Sequence, residues 1–301
     1  MSLNLSRRSF VQLAGSAAML ATAPTLALGA TDSPRKRSIK KGIMFGTVGM
    51  KGSTLEKFQA VKEAGFEGVQ PNSHMNQDEV LKARDATGLQ IASVCCATHW
   101  DQTLSHQDPA VREKGLEGLK TALRDAHRYG AANVLLVPAV VTKEVSYRDA
   151  YDRSQAQIRK ALPLAEELKV KIAIENVWNR FLLSPLEAAR YVDEFNSPWV
   201  GWYFDVGNII NFGWPEQWIR TLGPRIVQVH IKEFSREKAG KEGAGKGFQV
   251  EFLRGDNDWP TVMKAFDEIG FDGWGLAEQG GADSREGLVK LSREMDRIFA
   301  S

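Results

Sequence analysis

The stretch Ile226-Val227-Gln228-Val229-His230-Ile231-Lys232-Glu233-Phe234-Ser235-Arg236 decides how the rest of the chain is read. A run of β-compatible residues leads into one histidine, and a polar, cationic segment follows. A short apolar run that stops on a metal-capable side chain is the pattern of a buried parallel strand delivering a ligand at its C-terminal end. One such end carries little weight, because a lone histidine there is commonly structural. The reading depends on whether other strands end the same way.

Three of them do. Lys171-Ile172-Ala173-Ile174-Glu175-Asn176, Gly201-Trp202-Tyr203-Phe204-Asp205 and Gly273-Trp274-Gly275-Leu276-Ala277-Glu278 each close on a carboxylate. With His230, four consecutive strands end in Glu, Asp, His and Glu. Further upstream the same alternation of short apolar runs and helical periodicity holds. Strands are expected at 41–45, 68–70, 89–95 and 133–137, and helices at 54–64, 77–87, 108–129 and 146–168. Ser184-Pro185 opens another helix with a capping residue and Pro at the first position. Helices at 215–222, 259–269 and 284–299 complete the count.

Eight strand–helix units in a single run predict an α/β chain with one (β/α)8 TIM barrel over 38–301. A doubly wound open sheet is the competing architecture, but no G-x-G-x-x-G follows the first strand. In a barrel the four strand ends converge on one rim. Three carboxylates and an imidazole there suit a divalent ion, with Mn²⁺ first and Mg²⁺, Co²⁺, Fe²⁺ or Zn²⁺ as alternatives. Glu175, Asp205, His230 and Glu278 are therefore the candidate metal ligands. Buried carboxylates are costly without a partner, which makes three of them in register with a histidine hard to attribute to stability alone.

Residues 1–30 are a different kind of sequence. Ser6-Arg7-Arg8-Ser9-Phe10 precedes an Ala-rich apolar stretch that exits through Ala27, Gly29 and Ala30. This predicts a cleavable twin-arginine signal, a linker over 31–37 and a periplasmic or otherwise exported protein with no stable membrane insertion after cleavage. Sugar phosphates are scarce in that compartment. Of 39 basic residues the signal carries Arg7 and Arg8, so the remaining 37 balance 37 acidic ones. Zero net charge is a poor footprint for nucleic acid. The two cysteines, Cys95 and Cys96, are adjacent and point to opposite faces of a strand, so no disulfide framework or cysteine metal site is expected.

Ile174-Glu175-Asn176, Phe204-Asp205-Val206-Gly207-Asn208, Val229-His230-Ile231-Lys232 and Ala277-Glu278 resemble the xylose-isomerase-like barrels, within them the sugar isomerase/epimerase branch with its ketose 3-epimerases and L-ribulose-phosphate 3-epimerases. The resemblance implies a metal-dependent isomerase or epimerase of a keto-sugar. Glu175 and Glu278 would face opposite sides of the substrate carbon and exchange its proton through an enediolate, and Arg236 would contact substrate oxygens. Three positions depart from the pattern. Asn208 stands where many relatives have histidine, Phe181 where a second glutamate is common, and Gln70 where a strand-end glutamate is common.

Asn176, Asn208, His99, Trp100 and Trp178 are further substrate-binding candidates, with His74, Asn179 and Trp214 also near strand ends. His106 and His127 read as solvated. The Gly-rich segment 235–258 is either a solvated loop or a lid. The expected partner is a small, non-phosphorylated sugar; a homo-oligomer is compatible with the sequence. A second reading keeps the enediolate but lets a 3-keto-glycoside eliminate its glycosidic oxygen, making a lyase. An apurinic-site endonuclease would need more than the five histidines present. A non-catalytic sugar-binding protein would not need four complete ligands.

Overall fold

The computed structural model describes residues 37–301. The expected signal over 1–30, and all of the expected linker but Arg37, lie outside the described residues. Among those described, no helix is long and apolar enough to cross a membrane.

Nine parallel strand segments form one sheet: β1 (Lys40–Met44), β2 (Gly68–Gln70), β3 (Gln90–Ile91), β4 (Val94–Cys95), β5 (Asn133–Leu136), β6 (Lys171–Glu175), β7 (Val200–Asp205), β8 (Ile226–Ile231) and β9 (Trp274–Ala277). Their lateral order is β3-β2-β1-β9-β8-β7-β6-β5-β4. The two ends of that order, β3 and β4, are neighbours in sequence, separated only by Ala92 and Ser93. The sheet thus comes round on itself as a nearly closed barrel, with the Asn72–Cys95 bridge beside the break. The expected third strand over 89–95 is therefore two short pieces. Ser93 sits at the break with its hydroxyl facing inward, accepting from Gln70 Nε2 at 2.8 Å.

The helices form where the sequence supplies ends for them. Ser146, Ser184 and Ser284 each accept the backbone N–H three residues on, from Asp149, Glu187 and Gly287. Such caps are each worth about 1 kcal/mol. Two helices were not anticipated. One is a single turn over Gly207–Ile210 directly after Asp205, and the other spans Arg236–Glu242 within the segment read as irregular. A 3-10 turn over Ala244–Phe248 follows the second, so 235–258 carries short regular elements; it is largely solvent-exposed, with Gly247 among its buried residues.

The main core lies between strands and helices. A smaller one fills the barrel, where Cys95, Leu135, Ala173 and Tyr203 pack together below the rim. Alternation along each strand explains what stands above it. Ala173 and Glu175 share a face, as do Tyr203 and Asp205, and Gln228, His230 and Lys232. Cys95 points into the barrel and Cys96 into the outer core, and both are buried free thiols.

Candidate metal and substrate site

Glu175, Asp205, His230 and Glu278 each place a ligand atom within 4.8 Å of the others at the C-terminal rim. His230 Nδ1 lies 2.9 Å from Glu175 Oε1, 2.9 Å from Glu278 Oε2 and 4.0 Å from Asp205 Oδ2. The first three residues are almost fully buried, whereas the Glu278 side chain is 23% exposed. Glu278 is the carboxylate of the set most open to an incoming molecule.

The imidazole is oriented from the side away from the cluster. Gln70 Oε1 meets His230 Nε2 at 3.0 Å, while Gln70 Nε2 donates to Ser93 Oγ and to the Tyr203 hydroxyl at 2.8 and 2.9 Å. With both amide hydrogens directed to hydroxyls, the Gln70 oxygen must accept, so Nε2 carries the proton. Nδ1 is thereby the nitrogen turned to the carboxylates: without a metal it carries a proton shared with Glu175 and Glu278, and a bound ion would take that proton's place.

Lys232, two residues beyond His230, belongs to the same cluster. Its ammonium donates to Asp205 Oδ2 at 3.3 Å and to Glu278 Oε1 at 2.9 Å, with the Phe248 ring centroid 4.9 Å away. The signal was available, because residue 232 must share an inward face with 230. Gly207 allows the approach: a Cβ there would stand 2.8 Å from the Lys232 carbonyl oxygen.

Burial pushes Glu175 up, and it takes Asp205 to about 8 despite the nearby Lys232. Burial opposes charge on His230 as well, but Glu278 and Glu175 outweigh it and raise the imidazole to about 10. For Glu278 burial acts upward, and Lys232 and His230 overcome it, so its carboxyl lies well below the usual range. In the metal-free protein the raised His230 and Asp205 pKa values mean that protons supply part of the compensation. With those protons gone, three carboxylates against the Lys232 ammonium would leave two negative charges, which one divalent cation would balance. The donor set of three oxygens and one nitrogen fits such an ion.

A cavity of about 220 Å³ opens above the cluster, lined by His99, Trp100, Trp178, Asn208, Lys232 and Phe248 together with Glu175, His230 and Glu278. Four of the expected substrate contacts, His99, Trp100, Trp178 and Asn208, thus gather around it. His99 Nδ1 accepts from the Val137 N–H at 3.1 Å, and burial lowers its pKa to about 4, so it stands as a neutral ring. Asn208 is fixed by its own N–H to Asp205 Oδ1 and by its side-chain amide to the Asn176 carbonyl.

Two expected contacts are not brought to this cavity. Asn176 spends its side chain on the scaffold, accepting from Trp202 Nε1 and Asp205 N–H and donating to the Asp205 carbonyl. Arg236 turns away because the chain enters a helix at Ser235; its guanidinium donates to the Ile210 and Gly213 carbonyls beside Trp214. His74 bonds Ser73 and Asn179 bonds Ala139 and Phe181, both away from the cluster. The 235–258 segment is anchored by buried Glu233, which accepts from Leu253 N–H, Asn257 N–H and Trp259 Nε1.

A profile described as the xylose isomerase-like TIM barrel matches residues 58–296. An L-ribulose-5-phosphate 3-epimerase of Escherichia coli is 24% identical over 260 residues, covering 82% of this chain and 89% of that protein. Among solved structures, a D-tagatose 3-epimerase-like protein gives a TM-score of 0.74 at 20% identity, covering 86% of this chain and 97% of the other. A 3-keto-D-glucoside 4-epimerase from E. coli gives 0.71 at 16% identity, covering 86% and 98%. These likenesses share the barrel described above. The chain belongs to the xylose isomerase-like TIM barrel family.

Proposed function

We propose that the protein is a divalent-metal-dependent epimerase or isomerase of a non-phosphorylated keto-sugar. The observation that carries this reading is the convergence of Glu175, Asp205, His230 and Glu278 beneath one small, aromatic-walled cavity. Curated relatives named as 3-epimerases of a keto-sugar phosphate support the reaction class.

When bound, the divalent ion, Mn²⁺ foremost, supplies Lewis-acid stabilisation of the charge created by deprotonation beside a carbonyl. The protein's own groups do the rest. Glu278 and Glu175 hold and return the proton from the two sides of the substrate carbon, which inverts the centre. Lys232 keeps Glu278 ionised. Gln70 holds His230 in place as a ligand that moves no proton, and Trp100, Trp178 and Phe248 enclose the ring and exclude water. Among the described residues, Lys232 is the one Lys or Arg lining the cavity, and it is already paired with two carboxylates. A phosphate group in this cavity would compete with Asp205 and Glu278 for Lys232, which supports a non-phosphorylated substrate.

A second reading keeps the same deprotonation and changes its outcome on a 3-keto-glycoside, the substrate class named for one structural neighbour, itself an epimerase. Here a carboxylate takes the proton beside the carbonyl, the C–O bond to the aglycone breaks with its electron pair, and the departing oxygen is protonated. The product is an unsaturated keto-sugar. Its neighbour at the rim, Asn208, can hydrogen-bond a hydroxyl but not shuttle a proton.

Protein loaded with Mn²⁺ and incubated in D₂O with ketoses and 3-keto-glycosides separates these outcomes. Deuterium beside the carbonyl with an epimerised product supports the first reading. Release of aglycone supports the second. No exchange with any substrate after verified metal loading overturns both.

A further inference from the structure

A second cavity, of about 520 Å³, adjoins the first and is not used by the chemistry above. It is lined by Val177, Trp178, Arg180, Phe181, Leu182 and Leu183 on the β6 side, and by Asn208, Ile209, Phe212 and Trp218 across from them. Val177, Trp178 and Asn208 line both cavities. The smaller one lies below the ~300–1,000 Å³ range of pockets that hold drug-sized ligands, and the larger lies within it. One is sized for a single sugar ring; the other is sized for something bulkier and apolar.

The walls of the larger pocket are unusual for a surface that needs only to be soluble. Leu183 is 68% exposed and Phe212 is 70% exposed, facing solvent at its mouth. Arg180 and Leu182 hold φ of 60° and 53°, a left-handed backbone that non-glycine residues adopt rarely. Arg180, itself exposed, makes no hydrogen bond or ion pair among the described residues, which leaves a cation at the rim of a hollow whose other polar lining is Asn176 and Asn208. The Trp178 indole is fixed between the two cavities, donating to the Asn208 carbonyl and packed edge-on to Phe212 at 5.3 Å.

We infer that this pocket is an aglycone subsite, and that the substrate is a keto-glycoside carrying an apolar, aromatic aglycone rather than a free ketose. The inference rests on the carbonyl chemistry proposed above and narrows its substrate class. The sugar ring occupies the small cavity at the carboxylates. The aglycone leaves it past Trp178 and Asn208 and packs against Phe181, Leu183, Phe212 and Trp218. Arg180 meets the aromatic face or a polar substituent on it.

The test compares methyl and 2-phenylethyl 3-keto-glucosides, whose alcohol aglycones are similar as leaving groups, on the Mn²⁺-loaded protein, using wild type, Leu183→Ser and Phe212→Ser. The subsite predicts a phenylethyl over methyl preference in kcat/KM of about tenfold or more, since apolar contacts of this size are worth that much in discrimination. Both variants should erase the preference while leaving the methyl substrate unchanged. Equal rates for the two substrates would overturn the subsite, while turnover of the methyl compound would leave the reaction class standing. If neither turns over, calorimetric titration with 2-phenylethyl and methyl glucosides reads the pocket directly. Tighter phenylethyl binding that both variants abolish supports the subsite, and equal binding overturns it. Variants that alter the oligomeric state without changing the phenylethyl preference would reassign this face as a contact between copies of the chain, against the proposal.

Discussion

Lys232 Nζ lies 2.9 Å from Glu278 Oε1, and the same ammonium reaches Asp205 Oδ2 at 3.3 Å. A single cation therefore ties together two of the four proposed ligands from strands β7 and β9. Removing one partner of a buried pair leaves an uncompensated charge, at a typical cost of about 3–5 kcal/mol. Lys232→Met is expected to lower the melting temperature of the metal-free protein by about 5–10 °C, and Lys232→Arg by distinctly less. Thermal unfolding in chelator checks this, and equal melting temperatures for Met and wild type would contradict the pairing.

Gln70 was notable in the sequence only as a departure from a common glutamate. In the fold its amide oxygen faces His230 Nε2 at 3.0 Å, held there by Ser93 and Tyr203. Gln70→Leu removes the group that fixes the imidazole tautomer. Metal affinity is expected to fall about 10–100-fold, the usual effect of losing a partner of this kind. Competition titration with a metal indicator measures it; an unchanged affinity would mean that His230 needs no such support.

Metal loading itself should stabilise the fold, because the ion binds a site absent from the unfolded chain. At about one hundred times its dissociation constant the gain is about 2.7 kcal/mol, a rise of roughly 5 °C for a domain of this size. The shift should vanish in Asp205→Asn, which keeps the shape of the site and reduces its charge. A shift of the same size in that variant would place the ion elsewhere.

His99 links stability to pH. Burial lowers its pKa to about 4, whereas an unfolded histidine titrates near 6.5. Below that value the unfolded chain takes up a proton that the native ring refuses. The contribution of the neutral ring is thus complete above about pH 6.5 and is lost as pH falls toward 4. Between pH 7 and 4.5 wild type should lose about 2–3 kcal/mol more than His99→Gln. Denaturant unfolding at the two pH values decides it, and identical losses would show that His99 protonates freely in the native state.

The strand termini were legible because a short apolar run ending on Glu, Asp or His has few uses other than a site. The barrel was legible for the same reason, through eight repeats of strand and helix. The broken third strand was not, since its cause is three-dimensional: Ser93 bonds Gln70 on a neighbouring strand and approaches Tyr203 across the barrel. Lys232 could have been found from period-two alternation with His230. Arg236 was placed by its distance along the chain, which says nothing of direction once the backbone turns into a helix at Ser235. Asn176 sits beside a ligand yet is consumed by Trp202 and Asp205, a use that only the packed strands reveal.

The central claim is that two carboxylates exchange a proton at the metal cluster, and Glu278 is the one most open to substrate. Its most direct test is the rate of deuterium incorporation beside the substrate carbonyl, measured in D₂O for wild type and Glu278→Gln at equal, verified Mn²⁺ content. The account predicts incorporation by wild type and a loss of about 10²–10⁴-fold in the variant. Incorporation at an undiminished rate in Glu278→Gln would contradict it.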